Sequence, residues 1–394
     1  MNITFLIGNG FDVGLGMKSR FKDFFPIYKE KSQNKESRIK QLSDSIESNY
    51  DTWADFEKAL GEYTLKFTSE NKQDFIDQVK DFETEFIAYL KWQESTLSFK
   101  DSDKIAHIMI EALTKFYSSD NLAIDSSSAV AKIYNKSSAE SHFYNFVNFN
   151  YTSLLLKALQ TIPQNIICKR KHNENAEKAD KIGKIIHVHG YCDKLPIIGV
   201  NDASQIANKE LAKDSRFARY IIKPSISQYL RQGYDRDTTS IINSSTIICV
   251  YGMSLGATDK KWWDLLMQWL SGSSDRQLVM FEYDDKYSPT TPYGWLEKED
   301  SIMDKLTGYN SNKGLTVENL RSRIHIAVHK NIFQMNLQPK KDDEYSTLIE
   351  KANAMQDKVN YDIKHRDEIT YITEHSEEIA TAQKIAEKIA LLTK

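Results

Sequence analysis

The sequence predicts an open α/β fold. It would be built on a doubly wound, mostly parallel sheet with a large helical insertion and helices near the C-terminal end. Three observations predict it. Short apolar runs bounded by glycine or polar residues recur along the chain, the pattern of strands buried on both faces of a parallel sheet. Stretches with helical spacing lie between them, giving a β…α…β…α order. Four of the runs end in small or polar residues that a packed core would not select.

The runs are 3–7, 146–149, 184–188, 246–251, 277–283 and 323–329. The first two lie too far apart for one crossover. Between them, apolar residues of period 3.6 occupy 22–31, 35–50, 53–66, 74–91 and 102–117, which reads as a helical insertion. The stretch 120–139, rich in Ser and small residues, reads as a loop, and 169–180, KRKHNENAEKAD, as a solvated loop. Helices are expected over 151–159 and 259–271. The segment 342–394 is nearly free of Pro and Gly and rich in Glu, Lys and Ala, and reads as two long amphipathic helices. The organisation that follows is a core of 1–20 and 140–335, an insertion of 21–139 and a helical tail of 340–394. No internal repeat is visible.

Composition bounds the function. Of 394 residues, 40% are hydrophobic and 27% charged, an ordinary globular balance. Lys and Arg number 52 against 55 Asp and Glu, a net charge of −3. That argues against an affinity built on blanket phosphate neutralisation, although a local basic patch stays open, so nucleic acid is not the expected partner. Cys168, Cys192 and Cys249 form no C-x-x-C, which excludes a disulfide framework and a four-cysteine zinc ribbon. The N-terminal MNITFLIGNG reads as a buried strand rather than a secretory signal. No apolar run reaches the roughly 18 residues a spanning helix needs. A cytoplasmic protein without a membrane partner is expected. The apolar stripe of the tail suggests a homo-oligomer or a partner protein.

The chemistry concentrates at strand ends. The first run leaves Gly8, Asn9, Gly10 and Asp12, the second Asn148 and Asn150, the third His187, His189 and Gly190, and the fourth Gly252, Ser254 and Asp259. In an open α/β sheet, ligands bind beyond the carboxyl ends of the strands, so parallel strands bring these residues to one rim. Gly8-Asn9-Gly10 fits either a phosphate approach or a tight turn; with Gly14 its spacing is G-x-G-x-x-x-G. Asn148 and Asn150 share a strand face by period two, opposite Phe149. Asn150 fits a sugar hydroxyl or a water, or else it or Thr152 caps the helix that follows. His189 fits a general base, one of two metal ligands with His187, or a buried histidine held by a carbonyl; His187 fits the last best. Gly252 and Ser254 fit phosphate or ribose contact. Asp259 and Thr258 fit a helix cap, and Trp262 with Trp263 a helix core. In WADFE, Trp53 and Phe56 point inward by spacing while Asp55 and Glu57 read as surface charges.

The ordered set FLIGNGFD, WADFE, FVNFNYT, HVHG and GMSLGATDKKWW resembles the AbiH family of bacterial abortive-infection proteins over nearly the whole chain. More distantly the arrangement is similar to the sirtuin-like nucleotide fold. That resemblance implies that Gly8 and Gly10 match the dinucleotide loop, Asn150 the ribose-binding Asn and His189 the base. It also implies that Gly252 with Ser254 matches the strand end on the adenosine side. The family implies cytoplasmic phage defence; the sirtuin-like likeness implies binding or hydrolysis of NAD. The chain departs from the protein deacylases in three ways: it lacks their four-cysteine zinc module, shows no recognisable peptide-binding insert, and carries GNGFD without the usual alanine and serine. Deacetylation is therefore not expected.

On this reading NAD is substrate or ligand and no metal is expected. His189 would act as base on a water or ribose hydroxyl and Asn150 would orient it. Gly8, Asn9, Gly10, Gly252, Ser254 and Asp259 would contact the dinucleotide, and Asp12 would bind a hydroxyl or brace the loop. Three alternatives remain: a non-catalytic nucleotide sensor acting through a partner, a metal-dependent nuclease or hydrolase using His187, His189, Asp12 and Asp55 or Glu57, and an interaction protein assembling through its tail.

Overall fold

Strand β1, Asn2–Ile7, is buried along almost its whole length and lies inside a seven-stranded sheet. The chain is described by a computed structural model for residues 1–48, 53, 55–173, 176–256, 259–283, 292–309, 320–335 and 337. The other strands are β2 (Phe143–Asn148), β3 (Ile166–Asn173), β4 (Ala176–His187), β5 (Ile247–Tyr251), β6 (Gln277–Glu282) and β7 (Ile324–Val328). Their spatial order is β3-β4-β2-β1-β5-β6-β7, with the β3–β4 pair antiparallel and the other pairs parallel. The order reverses at β1: the chain lays β2, β3 and β4 on one side of it, with β3 at the edge, then crosses to β5, β6 and β7 on the other. Met1–Ser95 and Phe99–Leu337 cluster as one compact unit. The expected tail, 340–394, lies outside the described residues.

The register decides where the strand ends sit. Ile7 pairs with Asn148 on one side and Tyr251 on the other, and Asn148 pairs with His187. These four residues lie in one row across the sheet, so the loops after them leave at one rim.

Alternation of side chains along each strand gives the sheet two apolar faces. Leu6, Val147, Ile248 and Val250 share a buried cluster with Trp262, Trp263, Leu266 and Leu270 of helix α13, Lys260–Ser271. Trp263 is fully buried, so the expectation that the Trp pair forms helix core is met. From the alternate positions Phe5 stacks on Phe146 at 5.6 Å and meets Phe116 and Phe333 edge-on.

The stretch between β1 and β2 is helical as expected. After α1 (Gly10–Gly14) come α2 (Phe21–Ser32), α3 (Ser37–Ser48), α4 (Phe56–Tyr63), α5 (Lys72–Thr96), α6 (Ser102–Lys115) and α7 (Ile124–Lys136). Phe56 stacks on Phe82 at 4.1 Å, and Trp53 packs on Phe56 and Tyr63, so the inward pair of WADFE is where its spacing put it.

Two expectations fail. The segment read as a loop at 120–139 contains α7; its Ser-rich first turns have weak propensity, but Val130 and Tyr134 bury against the rest of the unit. The polar run 169–180 is no solvated loop either: it supplies most of edge strand β3 and the start of β4. An edge strand carrying Lys and Arg reads as polar because one side of it lacks a partner strand.

Candidate functional site

The glycines after β1 are explained first by packing. The amides of Gly8 and Gly10 donate to the carbonyls of Tyr251 and Gly252 at 2.9 and 2.8 Å, tying the first loop to the fourth. A Cβ on Gly10 would lie 2.5 Å from Gly252 Cα, and one on Gly8 2.6 Å from the Gly252 carbonyl oxygen. Two loops therefore touch backbone to backbone. Gly252 has φ +69°, and its Cβ would meet the Phe11 amide nitrogen at 2.7 Å. Gly252→Ala is expected to destabilise by at least about 1–2 kcal/mol from backbone conformation alone, with the clash in addition. A denaturant melt of the variant checks this.

The loops surround a cavity of about 430 Å³ lined by Gly8, Asn9, Asp12, Asn150, His189, Gly252, Ser254 and Asp259. Of the nine residues expected to bind or act on the dinucleotide, all but Gly10 meet there; Asn148, His187, Gly190 and Asp55 do not line it. Gly10 lines a neighbouring cavity of about 480 Å³, which shares Asn9, Gly252, Met253 and Ser254 with the first. The chain thus presents two spaces joined along one loop. Both are within the roughly 300–1,000 Å³ of ordinary ligand pockets.

Asp12 lies on α1 and is almost fully buried. Thr152 Oγ1 donates to Asp12 Oδ2 at 2.7 Å and Asn150 Nδ2 to Oδ1 at 3.1 Å. Burial raises its pKa to about 7, against the Thr152 hydrogen bond and with the help of the Glu94 charge. Asn150 also donates to the Gly8 carbonyl at 3.1 Å, and its own amide donates to Asn148 Oδ1 at 3.1 Å. The two asparagines therefore do different work: Asn150 joins β1 to Asp12, while Asn148 fixes Asn150. Neither Asn150 nor Thr152 caps the next helix, as one reading had them. That helix, α8 (Leu154–Gln160), begins at Ser153, whose amide donates to Glu94 Oε2 of α5 at 3.1 Å.

His187 is buried, as expected, and a backbone hydrogen bond with Asn150 works against the effect of that burial. Asn148 Nδ2 lies 3.4 Å from its Nδ1, and Nε2 has no partner among the described residues. Burial lowers its pKa to about 4. His189 is the histidine that faces the cavity. It is 8% exposed, sits edge-on to Phe149 at 5.8 Å and leans on Tyr151. Burial, then the charges of Lys223 and Lys261, hold it well below the usual histidine range, so it is neutral at physiological pH.

The far wall was not legible. Glu57, read as a surface charge, lines the cavity and accepts two hydrogen bonds from Lys223 Nζ, both at 2.7 Å. Burial raises its pKa to about 7 despite that ammonium. Lys223 opens α11 (Lys223–Tyr229), far along the chain from Glu57. Asp55, by contrast, is exposed and caps α4 through the Lys58 amide at 3.2 Å. Asp259 stands at the start of α13 but makes no cap hydrogen bond; its carboxyl lines the cavity, and burial raises its pKa. Thr258, the other expected cap, lies outside the described residues. Phe86 and Leu90 of α5 complete the wall, so the helices between β1 and β2 supply part of the site.

Among the described residues, no group of three or more His, Cys, Asp and Glu side chains is placed to hold a metal ion. No described helix is long and apolar enough to cross a membrane. No curated protein matches the chain. A family model described as "Bacteriophage abortive infection AbiH" matches residues 4–281, spanning all five motifs and the rim they build. With most of its length matched, the chain belongs to the bacteriophage abortive infection AbiH family.

Proposed function

We propose that this protein serves abortive infection, the phage-defence role its family supports, by binding and hydrolysing NAD at the rim cavity. The observation that carries the reading is the meeting of Asp12, Asn150 and His189, from three separate strand ends, in one cavity. Such convergence beyond the carboxyl ends of a mostly parallel sheet is where α/β folds bind nucleotides.

The chemistry suits the residues. The bond between ribose and nicotinamide breaks with its electron pair going to the ring nitrogen, which leaves as neutral nicotinamide. The ribose carbon gains cationic character, water adds there, and a proton is released. His189, neutral and without a hydrogen-bond partner among the described residues, is free to take that proton. Asn150, fixed by Gly8 and Asn148, orients the water or a ribose hydroxyl. A carboxylate at Asp12 favours the developing positive charge. The second cavity, with Tyr251, Phe281, Arg20 and Lys330 on its walls, suits an adenosine and its diphosphate. Gly252 and Ser254 border both halves.

Incubating the purified chain with NAD tests this by two readouts, melting temperature and free nicotinamide. The expected result is a raised melting temperature with nicotinamide released. A raised melting temperature without nicotinamide points instead to a nucleotide sensor. No change in either rejects the reading.

A further inference from the structure

Resting on that reading, we infer that the His189 cavity selects a positively charged ring, so that it takes the oxidised dinucleotide in preference to the reduced one. Among the described residues, three carboxyl groups line it, Asp12, Glu57 and Asp259, against a single ammonium, that of Lys223. That ammonium is already committed to both oxygens of Glu57. The amides of Gly8 and Gly10, which an anion would need, donate to backbone carbonyls. An anionic group therefore finds little to receive it here.

An independent observation marks the same space as a ligand site. His189 is more than nine-tenths buried, borders the cavity, and has no hydrogen-bond partner for its ring among the described residues. The aromatic walls add to the preference. Phe149 and Tyr151 pack on His189 and line the cavity, and aromatic faces attract cations within about 6 Å. A pyridinium ring linked to ribose carries its charge where these carboxylates and rings face. The dihydropyridine of the reduced dinucleotide has nearly the same size and no charge.

Calorimetric titration of the full chain carrying His189→Ala, so that ligand is not consumed, separates the two. NAD is expected to bind at least about tenfold more tightly than NADH, the scale of one charge contact in a partly buried site. Asp259→Asn, a group that caps nothing, and Glu57→Gln are each expected to shrink that ratio severalfold, leaving NADH affinity near its starting value. Equal binding of the two ligands overturns the charge selection but leaves a dinucleotide site standing. A ratio unchanged by both variants overturns it too, because shape rather than charge would then discriminate. Binding of neither ligand overturns the proposed function along with it.

Discussion

His189→Ala is expected to slow nicotinamide release from NAD by about 10²–10⁴-fold, the usual contribution of a positioned general base. The same change is expected to leave the melting temperature close to that of the parent chain. Its ring holds no described partner by hydrogen bond, and its ring contacts are an edge contact with Phe149 and a tilted one with Tyr151 along the cavity wall. A structural histidine would behave in the opposite way, losing stability first. Asn150→Ala is expected to lose activity to a similar degree and some stability as well, since Asn150 ties Gly8 to Asp12. The pH profile adds a second check. His189 stays neutral across the physiological range, so a rise in rate between pH 6 and 8 belongs to the carboxyl groups of Asp12 and Glu57, both near 7.

Asp12→Asn is expected to abolish most cleavage and yet to stabilise the fold at alkaline pH. In the folded chain the carboxyl holds its proton up to about 7, while an unfolded aspartate releases it near 3.8. Between those values the folded state binds more protons, so stability falls as pH rises through the window, and the full cost is present above it. Among the described residues, the groups facing the carboxyl are Asn150, Thr152, the Glu94 carboxylate and the Cys192 thiol, which burial keeps neutral; none is cationic. An asparagine keeps both hydrogen bonds, accepting from Asn150 and donating to Thr152, without a buried charge. The gain is at most on the order of 4 kcal/mol at pH 8 and clearly less at pH 5. Melting temperatures of the two chains at both pH values test this. An equal loss at both would mean that Asp12 is retained for packing rather than for its charge.

A residue that costs stability in its ionised form, at the meeting point of several loops, fits a place where function rather than folding sets the sequence. The rim itself was legible because parallel strands buried on both faces leave apolar runs, and their ends stand out by composition. Six strands were found that way. β3 was not, because an edge strand holding Lys169, Arg170 and Lys171 looks like a solvated loop until its pairing with β4 is seen. α7 was missed because Ser-rich turns gain their helicity from the burial of Val130 and Tyr134.

Within the site, Gly8, Asp12, Asn150 and His189 were found through their strand ends. Lys223 was not, and Glu57 was named only as one option for an acid of a metal site, because their ion pair joins positions 166 residues apart and no local pattern marks it. Thr152 could be read from sequence only as a helix cap; its actual partner, Asp12, is 140 residues away. Asp259 was read both as a cap and as a dinucleotide contact; it makes no cap hydrogen bond, and it lines the cavity. Local spacing found the residues that each strand delivers to the rim. It was silent on the partners that other parts of the chain bring to them.

The most direct test of the central claim is a crystal structure of the His189→Ala chain with NAD bound. The account predicts the nicotinamide ribose in the cavity between Asp12 and Asp259, with a ribose hydroxyl or water within roughly 2.6–3.2 Å of Asn150. It predicts the diphosphate along Gly252 and Ser254. NAD bound elsewhere on the chain, with this cavity empty, would contradict it.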